Sequence, residues 1–139
     1  MRLFLFFCLL FISCNSKEDK DKYNRELYRA VNKKDTAVLD IHINDKRFYG
    51  RYEIYHYGTG KDSGDVRGDL KGDTLRGDYH YISFGGNWKR VPLALLKKDK
   101  KLFLGKGVIG TYFNLPCYVP EVPIDYKNPE FTFERIEKE

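Results

Sequence analysis

The sequence contains little cysteine, proline, methionine or tryptophan, with 3, 5, 1 and 1 of these among 139 residues. Three cysteines are too few for the disulfide framework that holds many small secreted domains together. The longest apolar run, residues 3–12, has ten residues, whereas a membrane-spanning helix needs about 20. The chain is therefore expected to form one domain that depends on a hydrophobic core rather than on cross-links.

Aromatic residues are abundant, and 11 tyrosines and 10 phenylalanines supply most of the 16% total. Tyr and Phe are residue types that β-sheets prefer. The chain is also 42% hydrophobic and 32% charged, which provides enough apolar material for a core and excludes a disordered charged tail. These figures favour a folded, β-rich domain.

The N-terminus has the layout of a bacterial signal peptide. A positive charge is followed by the apolar run over 3–12, which ends at Ser13-Cys14. This junction resembles the lipobox of bacterial lipoproteins, in which a small residue precedes the cysteine that is lipidated, although Phe11 stands where leucine is usual. The resemblance implies a signal peptide over 1–13 and lipidation of Cys14. A secretory signal cleaved at an ordinary small-residue site is the alternative.

Residues 14–22 are expected to form a charged tether behind the lipidated cysteine, because positive and negative charges alternate and apolar side chains are absent after Cys14. Its Lys17-Glu18-Asp19 resembles the surface-export signal of some Gram-negative lipoproteins, and a plain charged spacer is the alternative. The predicted location is the bacterial outer membrane, where the acyl chains on Cys14 hold the protein. Exposure at the cell surface depends on the export signal.

The charge of the chain does not point to a nucleic-acid partner. Removal of residues 1–13 takes away Arg2 and no acid, so the formal net charge falls only from +5 to +4. The basic clusters at 33–34 and 97–101 fall where turns are expected and are typical of solvated turn faces. An exported location argues further against nucleic acid.

From residue 23 to 139 the chain is expected to form a single β-rich domain. Short runs rich in β-branched and aromatic residues alternate with clusters of Gly, Asn, Asp and Lys. Strands are predicted over 27–32, 36–43, 47–57, 65–71, 74–83, 88–97, 101–109 and 130–136. For the first of them, a helical stripe through Tyr23, Leu27 and Val31 is the alternative. The turns are short, so successive strands are expected to pair antiparallel.

Three glycines bear on how this sheet closes. Gly50, Gly68 and Gly77 occupy the apolar phase of three consecutive strands, and glycines in strands mark places where a sheet bends sharply. The predicted fold class is all-β, an antiparallel up-and-down meander of seven or eight strands that closes into a small β-barrel or a strongly curled sheet. Four prolines interrupt 110–129, which is expected to be an irregular segment that wraps the barrel or covers one mouth.

Two Arg-Gly-Asp triplets predict the register of one hairpin. With residues 72–73 as a two-residue turn, Arg67 falls opposite Asp78 and Asp69 opposite Arg76. These residues would form two cross-strand ion pairs on the outer face. The triplet also resembles the integrin-binding signal of adhesion proteins, but such signals lie on loops, whereas this register places both triplets in mid-strand.

His42, His56, His80 and Cys117 are the candidate catalytic or metal-binding residues. Their separations do not match metal-ligand spacing, and no base lies near Cys117 in the sequence. The expectation is a protein that is not an enzyme and that uses neither a metal nor another cofactor.

Tyr49, Tyr55 and Tyr57 are the candidate binding residues. They share the phase of their strand that lies opposite the apolar one. Exposed tyrosines on a sheet stack on sugar rings or form protein-binding faces. The alternative is that a neighbouring segment covers them.

The hairpin over 71–75, Lys-Gly-Asp-Thr-Leu, makes the chain resemble small uncharacterised bacterial lipoproteins with repeated hairpins of this type. The resemblance covers mainly 36–109 and implies an exported β-rich domain. The expected function is that of a membrane-anchored binding or envelope-structural module whose partner is a protein, a glycan or a small hydrophobic ligand. The alternatives are a lipocalin-like barrel with a ligand inside and an inhibitor of a host or rival enzyme. A filled interior favours action at the surface, and a cavity favours a ligand.

Overall fold

The structure, a computed structural model, describes residues 24–137. The predicted signal peptide over 1–13 and the predicted tether with Cys14 lie outside this part of the chain. The described strands are β1 (Asn24–Asn32), β2 (Asp35–Ile43), β3 (Arg47–His56), β4 (Gly60–Lys71), β5 (Thr74–Ile82), β6 (Trp88–Lys98), β7 (Lys101–Leu104), β8 (Ile109–Tyr112), β9 (Leu115–Tyr118) and β10 (Thr132–Ile136).

Eight of these strands form a closed antiparallel barrel. They follow the order β1-β10-β7-β6-β5-β4-β3-β2, and β1 pairs with β2 to close the circle. β8 and β9 form a separate two-stranded sheet. The predicted all-β meander is confirmed, and the closed barrel is the form present. Residues 24–137 hold no helix with the length and apolar character needed to cross a membrane.

β1 is a strand and not the helix that a stripe through Leu27 and Val31 allowed. Its inward side chains Glu26, Tyr28 and Ala30 alternate and are buried, while Val31 is 58% exposed. β1 pairs with β2 on one side and with β10 on the other. Its backbone groups are therefore satisfied by neighbouring strands rather than along a helix.

Glycines allow the barrel wall to curl, as predicted. A Cβ atom on Gly77 would lie 1.9 Å from the carbonyl oxygen of Arg67, and one on Gly50 would lie 2.1 Å from that of Asp40. Neighbouring backbones approach more closely at these positions than a side chain permits. Because Gly68 and Gly77 face each other across β4 and β5, the wall bends on both strands at once.

The predicted register of the β4–β5 hairpin is confirmed, and both Arg-Gly-Asp triplets lie in mid-strand. The opposed residues include Arg67 with Asp78, Gly68 with Gly77, and Asp69 with Arg76. The predicted ion pairs are wrong: Asp69 pairs with Arg47 of β3 at 3.6 Å. Asp78 pairs with Arg90 of β6 at 3.3 Å. Each strand has two neighbours and the sheet twists, so both carboxylates turn to the strand on their other side.

Two strand boundaries differ from the predicted ones by five residues, more than any other boundary of the eight predicted strands. β4 begins at Gly60, earlier than predicted, because its polar first residues still pair with β3. The strand predicted over 101–109 ends at Leu104. The next residue, Gly105, donates its N–H to a carbonyl of β6, and the chain then leaves the barrel wall.

The proline-rich segment that follows was expected to be irregular, but it contains the β8–β9 hairpin. The two strands are joined at Phe113 and Asn114, whose φ angles of 48° and 61° are the left-handed values of a tight hairpin turn. The segment wraps the outer wall, where the Tyr118 hydroxyl donates to the carbonyl of Pro92 at 3.2 Å. Ala94, on the outward phase of β6, is fully buried there.

The two ends of the barrel differ in their connections. At the end called the base, β1 begins and successive strands are joined by the turns 44–46, 72–73 and 99–100. At the opposite end, called the rim, the connections are 33–34, 57–59 and 83–87. The base turns contain polar residues and glycine, whereas the rim loops include Tyr57 and Phe84.

Candidate functional site

The interior of the barrel is filled with side chains. The largest that are fully buried are Tyr28, Phe48, Phe131, Phe133, Leu39, Ile41, Leu75, Leu95, Leu102 and Val66. Eight strands enclose a space that side chains are just able to fill. Clefts lie on the outer wall instead, such as one of about 550 Å³ lined by Thr74, Tyr118 and Ile124. A binding site is therefore expected on the outside of the barrel.

Three tyrosines close the barrel beneath the rim. The ring of Tyr79 lies 4.6 Å from that of Tyr52 and stacks on that of Tyr81 at 4.3 Å between centroids. The Tyr79 hydroxyl donates to the carbonyl of Tyr52 at 3.0 Å. Burial raises the pKa of both Tyr52 and Tyr79 above the ordinary value of 10.0. These hydroxyls remain neutral, and the closure carries no charge.

A polar cluster of Asp35, His56 and Asp62 holds the three rim loops together. His56 Nε2 lies 3.0 Å from Asp62 Oδ2, and His56 Nδ1 lies 3.6 Å from Asp35 Oδ2. The second oxygen of Asp62 accepts the backbone N–H of Phe84 at 2.8 Å. The second oxygen of Asp35 accepts that of Tyr57 at 2.9 Å. The cluster therefore fixes the backbone of two aromatic residues in two loops.

The charge of His56 suits this arrangement. Its hydrogen bond with Asp62 raises the pKa of His56 above the ordinary 6.5, the negative charges of Asp62 and Asp35 act in the same direction, and partial burial opposes them. An imidazolium donates from both ring nitrogens and so matches two carboxylates. The cluster is satisfied by its own members and acts as a fastener between loops.

Aromatic rings project from the rim into solvent. Tyr57 is 69% exposed, Phe84 60% and Trp88 65%. The ring of Phe84 lies 5.4 Å from that of His56, and the ring of Trp88 lies 4.8 Å from that of His80. Exposed Tyr and Trp residues are enriched at the centres of binding surfaces. The rim is therefore the candidate binding surface.

The predicted binding residues Tyr49, Tyr55 and Tyr57 are all exposed, but they do not form one patch. Tyr57 belongs to the rim, where Nζ of Lys34 lies 4.6 Å from its ring centroid. Tyr55 lies on the outer wall just below the rim. Tyr49 lies near the opposite end of β3, close to the base. Of the three, Tyr57 takes part in the candidate surface directly.

Glu53 ties Tyr55 to the outer wall. It accepts hydrogen bonds from Ser63 and from Tyr55 at 2.7 Å each, and Lys61 Nζ lies 3.1 Å away. These bonds, that from Ser63 most of all, lower the pKa of Glu53 to about 2. The Tyr55 hydroxyl is thus engaged within the protein.

The other catalytic candidates occupy separate strands. His42 on β2 stacks on Tyr49 at 5.0 Å between centroids, and His80 on β5 lies against Trp88. Cys117 is a half-buried free thiol in β9. Within residues 24–137, no group of three or more His, Cys, Asp or Glu side chains is placed to hold a metal ion.

A second buried carboxylate, Glu26, lies at the base. It is 8% exposed and accepts a hydrogen bond from the hydroxyl of Tyr28. Lys97 Nζ lies 3.3 Å and Arg135 Nη1 lies 3.8 Å from the same carboxylate. Burial and the hydrogen bond to Glu26 raise the pKa of Tyr28. These partners are side chains, in contrast to the backbone groups bound at the rim.

A second group of exposed apolar residues lies at the tip of the β8–β9 hairpin. Tyr112 is 68% exposed, Phe113 82% and Leu115 51%. The rings of Tyr112 and Phe113 contact each other at 4.4 Å between centroids. Residues 112–115 include no charged side chain, which distinguishes this tip from the lysine-bearing rim.

Sequence reasoning missed Asp35, Asp62 and the two rim residues Phe84 and Trp88. A signal existed for Asp62, because it shares the inward phase of β4 with Val66. Extending the alternation back along the strand places that carboxylate inside the barrel. The same signal marks Asp35, which shares the inward phase of β2 with Ala37 and Leu39. No periodic signal marks Phe84, which lies in a loop.

The comparisons with known proteins return no matching family model, no matching curated protein and no matching solved structure.

Proposed function

We propose that this chain is an exported lipoprotein, held at the outer membrane by acyl chains on Cys14, whose barrel acts as a binding module through its rim. The Ser13-Cys14 junction and the charged residues after it support the anchor. Two or more acyl chains hold a protein stably on a membrane, because each buried methylene contributes about 0.8 kcal/mol.

The filled interior is the observation that carries this proposal. A lipocalin-like carrier needs a lined cavity of hundreds of Å³, but here buried aromatic and aliphatic side chains occupy that space. Below the rim, Tyr52, Tyr79 and Tyr81 pack against one another across the mouth. A partner then binds to exposed side chains, and the rim offers three exposed rings.

The position of the N-terminus supports the choice of the rim. The chain before Asn24 joins the barrel at the base. The ten residues from Cys14 to Tyr23 span up to about 35 Å when fully extended. An anchor on Cys14 therefore connects to the barrel at its base, and the rim is the end opposite to that connection.

Catalysis is not part of the proposal. Both ring nitrogens of His56 face carboxylates that also bind backbone N–H groups, so the cluster supports the loops. Cys117 has no adjacent imidazole of the kind that activates a thiol nucleophile among its hydrogen-bond partners in the described chain. A binding or envelope-structural role needs neither group to react.

Metabolic labelling with a fatty-acid analogue tests the anchor. The wild type and Cys117→Ala are expected to carry the label, whereas Cys14→Ala is expected to lose it. Cys117→Ala is a matched control because it removes the other cysteine of the mature chain. Equal labelling of all three proteins would contradict the anchor.

Titration with cis-parinaric acid, whose fluorescence rises in an apolar cavity, tests the filled interior. The folded protein is expected to give no saturable signal. Saturable binding with one ligand per chain would show that the barrel opens to a ligand and would replace the surface module by a carrier.

A further inference from the structure

We propose that the rim recognises an acidic polysaccharide, with its exposed rings stacked on sugar rings and its lysines paired with the acid groups. This inference rests on the proposed function, because it names the partner of the same surface. It is carried by the charge, the ring exposure and the rigidity of the rim.

The unpaired exposed charge of the rim is mainly positive. Four exposed lysines lie on or beside the rim loops: Lys33, Lys34, Lys61 and Lys89. Lys61 pairs with Glu53, and the carboxylates of Asp35 and Asp62 bind His56 and backbone N–H groups. Three exposed lysines then remain, Lys33, Lys34 and Lys89, against the exposed Glu130. These three lysines complement an anionic partner.

The exposed rings match the chemistry of a sugar. The face of an aromatic ring carries partial negative charge, and the C–H groups on one face of a pyranose ring carry partial positive charge. Tyr57 and Trp88 also combine an apolar ring with a polar atom at its edge, which suits a partner covered with hydroxyl groups. Tyr57 comes from one rim loop, Phe84 from the connection between β5 and β6, and Trp88 from the first position of β6. Lys34 lies against the Tyr57 ring, so a polymer that crosses the rim meets both rings and charge.

The rim is organised before any partner binds. Asp35 and Asp62 bind the backbone N–H groups of Tyr57 and Phe84, and His56 joins the two carboxylates. Binding to loops that are already fixed costs less conformational entropy. A shallow, rigid and basic surface with separate rings fits an extended polysaccharide better than it fits a protein that inserts one apolar anchor into a pocket.

The rim also lies at the opposite end of the barrel from the base, where the chain leads to the proposed anchor. Its exposed rings suit stacking on sugars, which favours the polysaccharide over an anionic bilayer, although both carry negative charge.

The test measures binding of the full lipidated chain, purified in a neutral detergent, to immobilised polygalacturonate and to heparin. Fully methyl-esterified polygalacturonate serves as the neutral polymer with the same backbone. We expect binding to at least one acidic polymer, weakening as salt is added, and weaker binding by about tenfold or more to the neutral one, because the charge pairing is lost.

Two pairs of variants locate the site. Tyr57→Ser with Trp88→Ser removes two rim rings, and Tyr112→Ser with Phe113→Ser removes two rings at the hairpin tip that are at least as exposed. Lys34→Gln with Lys89→Gln removes rim charge, and Lys46→Gln with Lys71→Gln removes as much charge at the base. The rim variants are expected to weaken binding by about tenfold or more, and the controls to retain it. Thermal melts confirm that each variant is folded.

Three outcomes would overturn the inference. These are binding to neither acidic polymer, equal binding to the neutral polymer, and loss of binding in the control variants but not in the rim variants. Stronger binding to anionic than to neutral vesicles, with binding to neither polysaccharide, also overturns it and points to lipid, because the acyl chains alone would bind both kinds of vesicle. If these failures occur while Cys14 is labelled and cis-parinaric acid stays unbound, the polysaccharide is rejected and the anchored surface module stands.

Discussion

The base and the rim of the barrel both bury a carboxylate, and they use it differently. Glu26 at the base is 8% exposed and faces the side chains of Tyr28, Lys97 and Arg135. Asp62 at the rim is 9% exposed and binds His56 and a backbone N–H of another loop. One carboxylate neutralises long flexible cations, whereas the other fixes the course of the chain.

The difference shows how one closed barrel provides two unlike ends. Lys97 and Arg135 are part-exposed, with side-chain exposures of 39% and 46%. If Glu26 is removed, water therefore solvates these two cations in its place. The backbone N–H of Phe84 is fixed in its loop by Asp62 and does not turn to another partner as a long side chain does. The rim therefore keeps a defined shape while it exposes aromatic rings, and the base turns remain polar and solvated.

The largest expected effect is that of Asp62→Ala. This change removes the acceptor for the N–H of Phe84 and one carboxylate from His56, and we expect it to lower the free energy of unfolding by about 2–4 kcal/mol. Denaturant unfolding measures this loss, and hydrogen exchange at the Phe84 amide is expected to accelerate. A loss below about 1 kcal/mol, the typical net value of one hydrogen bond, would show that the rim loops hold together without the cluster.

Glu26→Ala makes the matching change at the base, with a smaller expected loss of about 1–3 kcal/mol. Tyr28 loses its partner inside the barrel, but Lys97 and Arg135 turn to water. Amide exchange at Tyr57 and Phe84 is expected to stay as in the wild type. Faster exchange at the rim would show that the two ends are coupled through the wall.

The pH dependence of stability distinguishes the ends further. The pKa of His56 is raised in the folded protein, so its contribution to stability is fully present below the unfolded value of about 6.5. It disappears as the pH rises through the folded pKa. The free energy of unfolding, measured by denaturant at a series of pH values, is expected to fall over that interval. His56→Gln should abolish the fall. His80→Gln is the control, because His80 lies against Trp88, and loss of the fall in this variant would contradict the assignment.

The smallest expected effect is that of removing a single lysine, at the rim in one variant and at the base in the other. Lys34→Ala removes the cation above the Tyr57 ring and is expected to cost about 0.5–1 kcal/mol, as for exposed cation–π pairs. Lys46→Ala in a base turn is expected to change stability by less than about 0.5 kcal/mol. Thermal or denaturant unfolding of both variants decides the comparison, and equal costs would show that Lys34 is an ordinary surface lysine.

The sequence predicted the wall of the barrel better than its ends. The alternation of Ala37, Leu39 and Ile41 placed β2 with one face inward, and the short turn after Lys71 led to the register of β4 and β5. Both depend on local rules that act over two to four residues. The ion pair of Asp69 was assigned to the wrong strand, because a carboxylate in mid-sheet chooses between two neighbours.

The candidate site was predicted only in part. Tyr57 was found because it continues the phase of Tyr55 beyond the strand. His56 was named as a candidate, but its cluster with Asp35 and Asp62 was missed, since the three residues come from three strands and their meeting depends on how the strands pair. Phe84 was missed because a loop residue carries no period from which its contacts follow.

The sequence by itself determined that this chain forms strands, where most of them begin and end, and which faces are apolar, because alternation and turn residues act on neighbours in the chain. It also contains the Ser13-Cys14 junction and the charged residues that follow. Only the tertiary structure decided that the sheet closes, that its interior is full, and that three loops meet at the rim. The closure of the sheet and the contact between the rim loops bring together residues that are distant in sequence. The geometry of both follows from the packing of the whole barrel rather than from any single segment.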